Sequence, residues 1–178
     1  IEGIGPKIIN ALLDNNLISD AADLFDLEEG DLLPIKRFAE KSAQNIIISI
    51  RKSKTIDLYK FIFALGIINV GEETAVDIGK RIVEHKIIKR PRGIIDAAEK
   101  LMFDDWQKIP NIGPKVAESI FEYFKDKNNV AFIKKLDNSG VKIISPKITA
   151  QSLKLKGKTF VLTGSLRTLT RGQAKDRI

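Results

Sequence analysis

The sequence predicts an all-α body of tandem repeats followed by the truncated β-turn-α opening of a second, α/β unit. Three observations carry this. A small–hydrophobic–small turn occurs four times, the residues after each copy have helical apolar spacing, and strand signal is nearly absent through residue 140.

The four copies are Gly3-Ile4-Gly5-Pro6-Lys7, Arg37-Phe38-Ala39-Glu40-Lys41, Asn69-Val70-Gly71-Glu72-Glu73 and Asn111-Ile112-Gly113-Pro114-Lys115. Aligned on Gly5, Ala39, Gly71 and Gly113 they are spaced by 34, 32 and 42 residues, in the range of repeated supersecondary units. Ile8, Ile9, Leu12 and Leu13 give the first helix its apolar face. Ile46, Ile47 and Ile50 serve the second, Ala75, Ile78 and Ile82 the third, and Val116, Ile120 and Phe124 the fourth. Pro6 and Pro114 fall in first turns, where the missing N–H costs nothing. Shorter helical stretches are expected at Asp20–Phe25, Glu28–Leu33, Asp57–Leu65, Ile94–Phe103 and Asn129–Asn138. The helix–hairpin–helix body is thus expected over 1–140. Residues 141–156 read as a linker with one short strand at Val141–Ile144. Gly157–Gly164 reads as a buried strand ending in a tight turn, and 157–178 as a β-α start too short to fold alone.

With 178 residues, 43% of them hydrophobic, the chain can bury a core, and no apolar run approaches the ~20 residues of a membrane span. It contains no cysteine, which excludes a disulfide framework or thiolate metal site in these residues and fits a reducing compartment. The motif at Ile1 and the helix-like end at Ile178 suggest a piece of a longer protein. The net charge of +7 points to nucleic acid, but residues 151–178 carry +6 of it, leaving +1 for 1–150. Bulk charge is therefore a weak argument for the body, and binding has to come from local placement.

A small residue at a tight turn lets backbone N–H groups meet a phosphate closely, and the following helix adds its dipole. Gly3, Ile4, Gly5 and Lys7 form the complete copy, with Lys7 as an added point charge. Asn111, Gly113 and Lys115 form a near-equal one, because Asn tolerates left-handed backbone. Asn69 and Gly71 lack the lysine but have Thr74. The second copy keeps Lys41 yet has Arg37 and Ala39 where glycines would stand, so either its turn is reshaped and structural, the preferred reading, or Arg37 replaces the backbone contact with a side-chain one. The run Lys80, Arg81, Lys86, Lys89, Arg90 and Arg92 reads either as a phosphate-lining strip or as a solvated face. His85 reads as a surface residue, Phe103 and Trp106 as core, and Asp20 and Asp23 as capping a short helix. No P-loop, triad or metal spacing is visible, so no catalytic residue, cofactor-binding residue or metal ligand is expected within the chain.

The strings Ile1–Lys7, Glu40–Asn45, Phe63–Ile67 with Val70-Gly71-Glu72, and Ile112–Ile120, taken in this order, resemble the C-terminal part of bacterial NAD-dependent DNA ligases. Gly157–Gly164 resembles the first strand of the BRCT domain that follows in that family. The resemblance implies a monomeric, cytoplasmic enzyme that seals nicks in duplex DNA, using NAD, Mg or Mn, and a structural Zn held outside this stretch. It implies nicked duplex DNA as partner and no membrane. Arg37, Ala39 and Asn69 depart from the family pattern of Gly, Gly and His. Two other readings remain open: a helix–hairpin–helix scaffold for protein partners, and the DNA-binding part of another repair enzyme.

Overall fold

The computed structural model describes residues 1–35, 38–84 and 87–146. The expectations for Arg37, His85, Lys86 and the BRCT-like start at 157–178 lie outside the described residues.

The chain opens with α1 (Pro6–Asp14), which ends where Asn16 turns left-handed at φ 55° and Leu17 N–H closes back on the Leu12 carbonyl at 3.0 Å. A 3-10 turn (Asp23–Asp26) and the one-turn α2 (Glu29–Leu32) lead to the long α3 (Glu40–Ser53). Then follow β1 (Thr55–Asp57), α4 (Leu58–Ala64) and α5 (Glu72–Val83). Next come α6 (Arg92–Ala98), α7 (Phe103–Gln107), α8 (Pro114–Lys125), α9 (Lys127–Asn138) and β2 (Lys142–Ile144). Each helix expected after a turn starts one residue past its aligned small position, at Pro6, Glu40, Glu72 and Pro114.

Three expectations change. The stretch Ile94–Phe103 is two helices, because the Asp105 carboxylate accepts the Met102 N–H at 3.0 Å and starts a new helix there. Asp20–Phe25 is a 3-10 turn shifted to Asp23–Asp26. The strand expected at Val141–Ile144 forms as β2, but it is no linker strand: it pairs in parallel with β1, Ile56 opposite Ile143, so the compact unit runs to Pro146. β1 itself carries no sequence signal. It is three residues long, its partner lies far along the chain, and only the packed body brings the two together.

Two cores fill the body. One buries Leu12, Leu24, Leu32, Ile46, Ile47 and Ile50 between α1, α2 and α3. The other is larger and centres on Ile62, Ile78, Ile94, Trp106, Ile120 and Ile133 from α4 to α9. Trp106 is 1% exposed and lies parallel to Phe124 with ring centroids 6.2 Å apart, while Phe103 meets Phe121 edge-on. Trp106 is a core residue, as the sequence indicates, and Phe103 is partly buried against that core. The two cores are tied by Lys135 of α9, whose ammonium meets Asp20 at 2.8 Å and Asp23 at 2.6 Å. Asp20 also accepts the Ala22 and Asp23 N–H groups at the start of the 3-10 turn, whereas Asp23, inside the turn, accepts the Ser19 hydroxyl upstream of it.

Candidate nucleic-acid interface

All four hairpins are built on one hydrogen bond. The central hydrophobic N–H donates to the carbonyl three residues back: Ile4 to Ile1, Phe38 to Ile35, Val70 to Ile67 and Ile112 to Ile109, at 3.1–3.3 Å. An isoleucine opens every turn, and Ile35, Ile67 and Ile109 are buried. That repeated isoleucine is a signal in the sequence that the small-residue pattern alone does not use. The third turn position is left-handed at Gly3 (φ 79°), Asn69 (φ 64°) and Asn111 (φ 65°), the conformation a type II turn requires. Glycine and asparagine stand there because other residues are strained in it.

The next small position differs. Gly5, Gly71 and Gly113 have φ between −82° and −93° and ψ near 175°, an extended conformation open to any residue. Ala39 adopts nearly the same one, φ −87° and ψ 155°. A Cβ placed on any of the three glycines would meet nothing within 4 Å. Neither backbone conformation nor internal packing requires glycine there. What glycine leaves is an open approach to the backbone from outside.

The helices behind these turns are uncapped. Gly5, Ala39, Gly71 and Gly113 supply no side-chain acceptor to α1, α3, α5 and α8. By contrast Asp126 caps α9, accepting the N–H groups of Asn128 and Asn129 at 2.6 and 3.2 Å. Among the described residues, the N–H groups of Gly5, Lys7, Gly71, Glu72, Glu73, Thr74, Gly113 and Lys115 have no acceptor. Lys7, Lys41 and Lys115 are exposed and form no ion pair with described residues. Such helix starts can receive an oxyanion. Acids separate the four: the first turns of α1 and α8 contain none, whereas α3 has Glu40 and α5 has Glu72 and Glu73. Those carboxylates oppose a phosphate at the second and third hairpins. Thr74 is half-buried in the first turn of α5, and Ile4 packs on the first core.

The third and fourth hairpins brace each other. The Asn69 side-chain amide donates to the Ser119 hydroxyl of α8, and that of Asn111 to the Asp77 carboxylate of α5, both at 3.3 Å. Each asparagine precedes its turn glycine by two residues, and each acceptor follows the other hairpin's glycine by six. The two hairpins are therefore related by an approximate two-fold.

Part of the basic run is paired with acids. Lys80 pairs with Asp77, Arg81 with Glu84, and Arg90 with Asp137, which is 5% exposed. The described residues hold no cluster of three His, Cys, Asp or Glu side chains, and no helix among them is long and apolar enough to cross a membrane.

Turn, uncapped helix start and paired geometry define a tandem helix–hairpin–helix protein. Family models agree: a SAM-like helix–hairpin–helix tandem matches residues 1–52 and a helix–hairpin–helix motif matches 60–133, one over each core. The chain is homologous to the bacterial DNA ligases. It is 40% identical to a DNA ligase of Thermoanaerobacter sp. (strain X514) over 98% of its length, and 40% to one of Thermosipho africanus over 100%. A DNA ligase of Halothermothrix orenii is 41% identical, again over 100% of the chain. In each case the match covers 25% of the relative, so the chain spans about a quarter of the length of the curated relatives it matches.

Proposed function

We propose that this chain is the C-terminal duplex-gripping part of an NAD-dependent DNA ligase, a protein that seals nicks in DNA. The observation that carries the reading is the set of three glycines, Gly5, Gly71 and Gly113, that serve nothing inside the fold. Open backbone beside unclaimed N–H groups suits a phosphodiester held without base readout. Hairpins one and four, free of first-turn acids and carrying Lys7 and Lys115, supply most of the grip. The bracing of Asn69 and Asn111 keeps the third and fourth turns at fixed separation, as several contacts to one duplex need.

The bond-forming chemistry belongs, in this reading, to the remaining part of the ligase. NAD, a divalent Mg or Mn and a structural Zn would be held there; the described residues offer no ligand set that fits a metal. The cytoplasm is the compartment this function implies.

Fluorescence titration of nicked duplex at low salt tests the proposal. Binding should weaken steeply as salt rises. Gly5→Glu and Gly113→Glu each place a carboxylate in the phosphate approach, and a loss of about tenfold or more in affinity is expected with unchanged helical circular dichroism. Wild-type affinity in both variants would remove the hairpins from the interface and favour the protein-scaffold reading.

A further inference from the structure

A second cationic site lies away from the hairpin turns. Lys54 ends α3, whose 14 residues place it about 21 Å along the helix axis from the second turn. Its carbonyl accepts the Lys142 N–H at 2.6 Å, and the next residue of β2, Ile143, donates to the Lys89 carbonyl at 2.9 Å. Three segments distant in sequence thus run side by side, with the Lys54 ammonium turned over the Phe25 ring and the Lys89 and Lys142 residues lining one cavity. Lys89, Arg90, Gly140, Val141 and Lys142 surround a cavity of about 340 Å³ whose lining includes no carboxylate side chain.

Arg90 is exposed, yet its guanidinium is anchored from behind. The nearly buried Asp137 carboxylate accepts from its Nε at 3.2 Å and its Nη2 at 2.8 Å, and also takes the Arg92 N–H at 3.2 Å. The Asp137 carbonyl accepts a further Nη2 bond at 3.4 Å, which offsets the negative end of α9 at this rim. The guanidinium plane is fixed, while its Nη1 has no acceptor among the described residues. Lys89 and Lys142 are exposed and likewise without an ion-pair partner there. With its Nε and Nη2 taken by Asp137, Arg90 has its Nη1 donors left for a ligand, and Lys89 and Lys142 line the same cavity; such a set suits an oxyanion.

We propose that Lys89, Arg90 and Lys142 form a phosphate-class oxyanion seat, separate from the hairpin turns. Its occupant is either a phosphodiester of bound nucleic acid or a small phosphate. The experiment uses the whole chain. Amide resonances of Lys89, Gly140 and Lys142, with the Arg90 Nε signal, are followed during titration with inorganic phosphate and with duplex DNA. The double variant Lys89→Gln/Lys142→Gln is compared in both arms, and the salt dependence of duplex affinity is measured.

Shifts at these signals that disappear in the double variant support the seat. If the slope of log affinity against log salt also becomes shallower by about 2, the occupant is a nucleic-acid backbone. Shifts with inorganic phosphate and an unchanged duplex slope identify a small phosphate instead. No shift with either ligand overturns the proposal and leaves Arg90 as a strut between the Lys89–Arg92 segment and α9. Gly113→Glu separates this seat from the hairpin reading: it should weaken duplex binding and leave the inorganic-phosphate shifts in place.

Discussion

The two hairpin pairs make the same turn with different side chains. In the second pair, Asn69 and Asn111 occupy the left-handed position and reach across to Ser119 and Asp77. In the first pair Gly3 takes that position at the first turn, with no side chain to reach anything. The turn hydrogen bond is common to all four hairpins. What the repeat preserves is therefore a backbone path ending in an uncapped helix. The residue at the left-handed position is free to take on a second task, and in the second pair that task is fixing the distance between two turns.

The largest effect should come from the second core. Trp106→Ala removes its most buried aromatic and is expected to cost about 3–5 kcal/mol in urea unfolding. Because the first pair packs on its own core, its amide protection should outlast that of the second in native-state exchange. Equal loss of protection in both would show that the pairs are one cooperative unit.

Asn111 separates the two tasks of its position. Asn111→Ala should destabilise by about 1–2 kcal/mol, from left-handed strain, whereas Asn111→Gly relieves the strain and loses only the contact to Asp77. Urea midpoints should therefore fall in the order wild type and Gly above Ala. Gly as damaging as Ala would mean that the brace outweighs the backbone.

Acid should loosen the tie between the pairs. The Lys135 ammonium, helped by the Ser19 hydroxyl and N–H, holds the Asp23 carboxyl well below its ordinary 3.8. A depressed carboxyl stabilises the fold above its unfolded value and loses that contribution as pH falls through the folded one. Asp20 and Asp23 in turn raise Lys135, whose share is present below 10.5 and lost only above it. Melting temperature should thus decline below about pH 4 in wild type, and less so in Lys135→Met. Parallel acid profiles for the two proteins would assign the decline elsewhere.

The smallest effect on stability is expected at Gly113→Ala. The new Cβ meets nothing within 4 Å, and the poorer helix start offsets the entropy removed from the unfolded chain, leaving a change within about 0.5 kcal/mol. Duplex affinity should nonetheless fall, since the methyl group stands in the phosphate approach. A stability loss without an affinity loss would make the glycine a structural residue after all.

The sequence determined the helical body, the four turns and the helix starts, because these rest on local chemistry. Small residues at the turns, proline in two first turns and apolar spacing each act within a few residues. The division of Ile94–Phe103 was legible in principle from Asp105 following Met102 by three. Tertiary structure alone decided the rest. The pairing of β1 with β2, the reciprocal braces and the Asp137 hold on Arg90 join residues 34 or more apart, and no local pattern encodes which partner a side chain will meet. The same holds for the glycines. Their spacing announced a turn, but only the packed structure showed that Gly5, Gly71 and Gly113 face open space in an ordinary backbone conformation. It is this openness on which the proposed backbone contact rests.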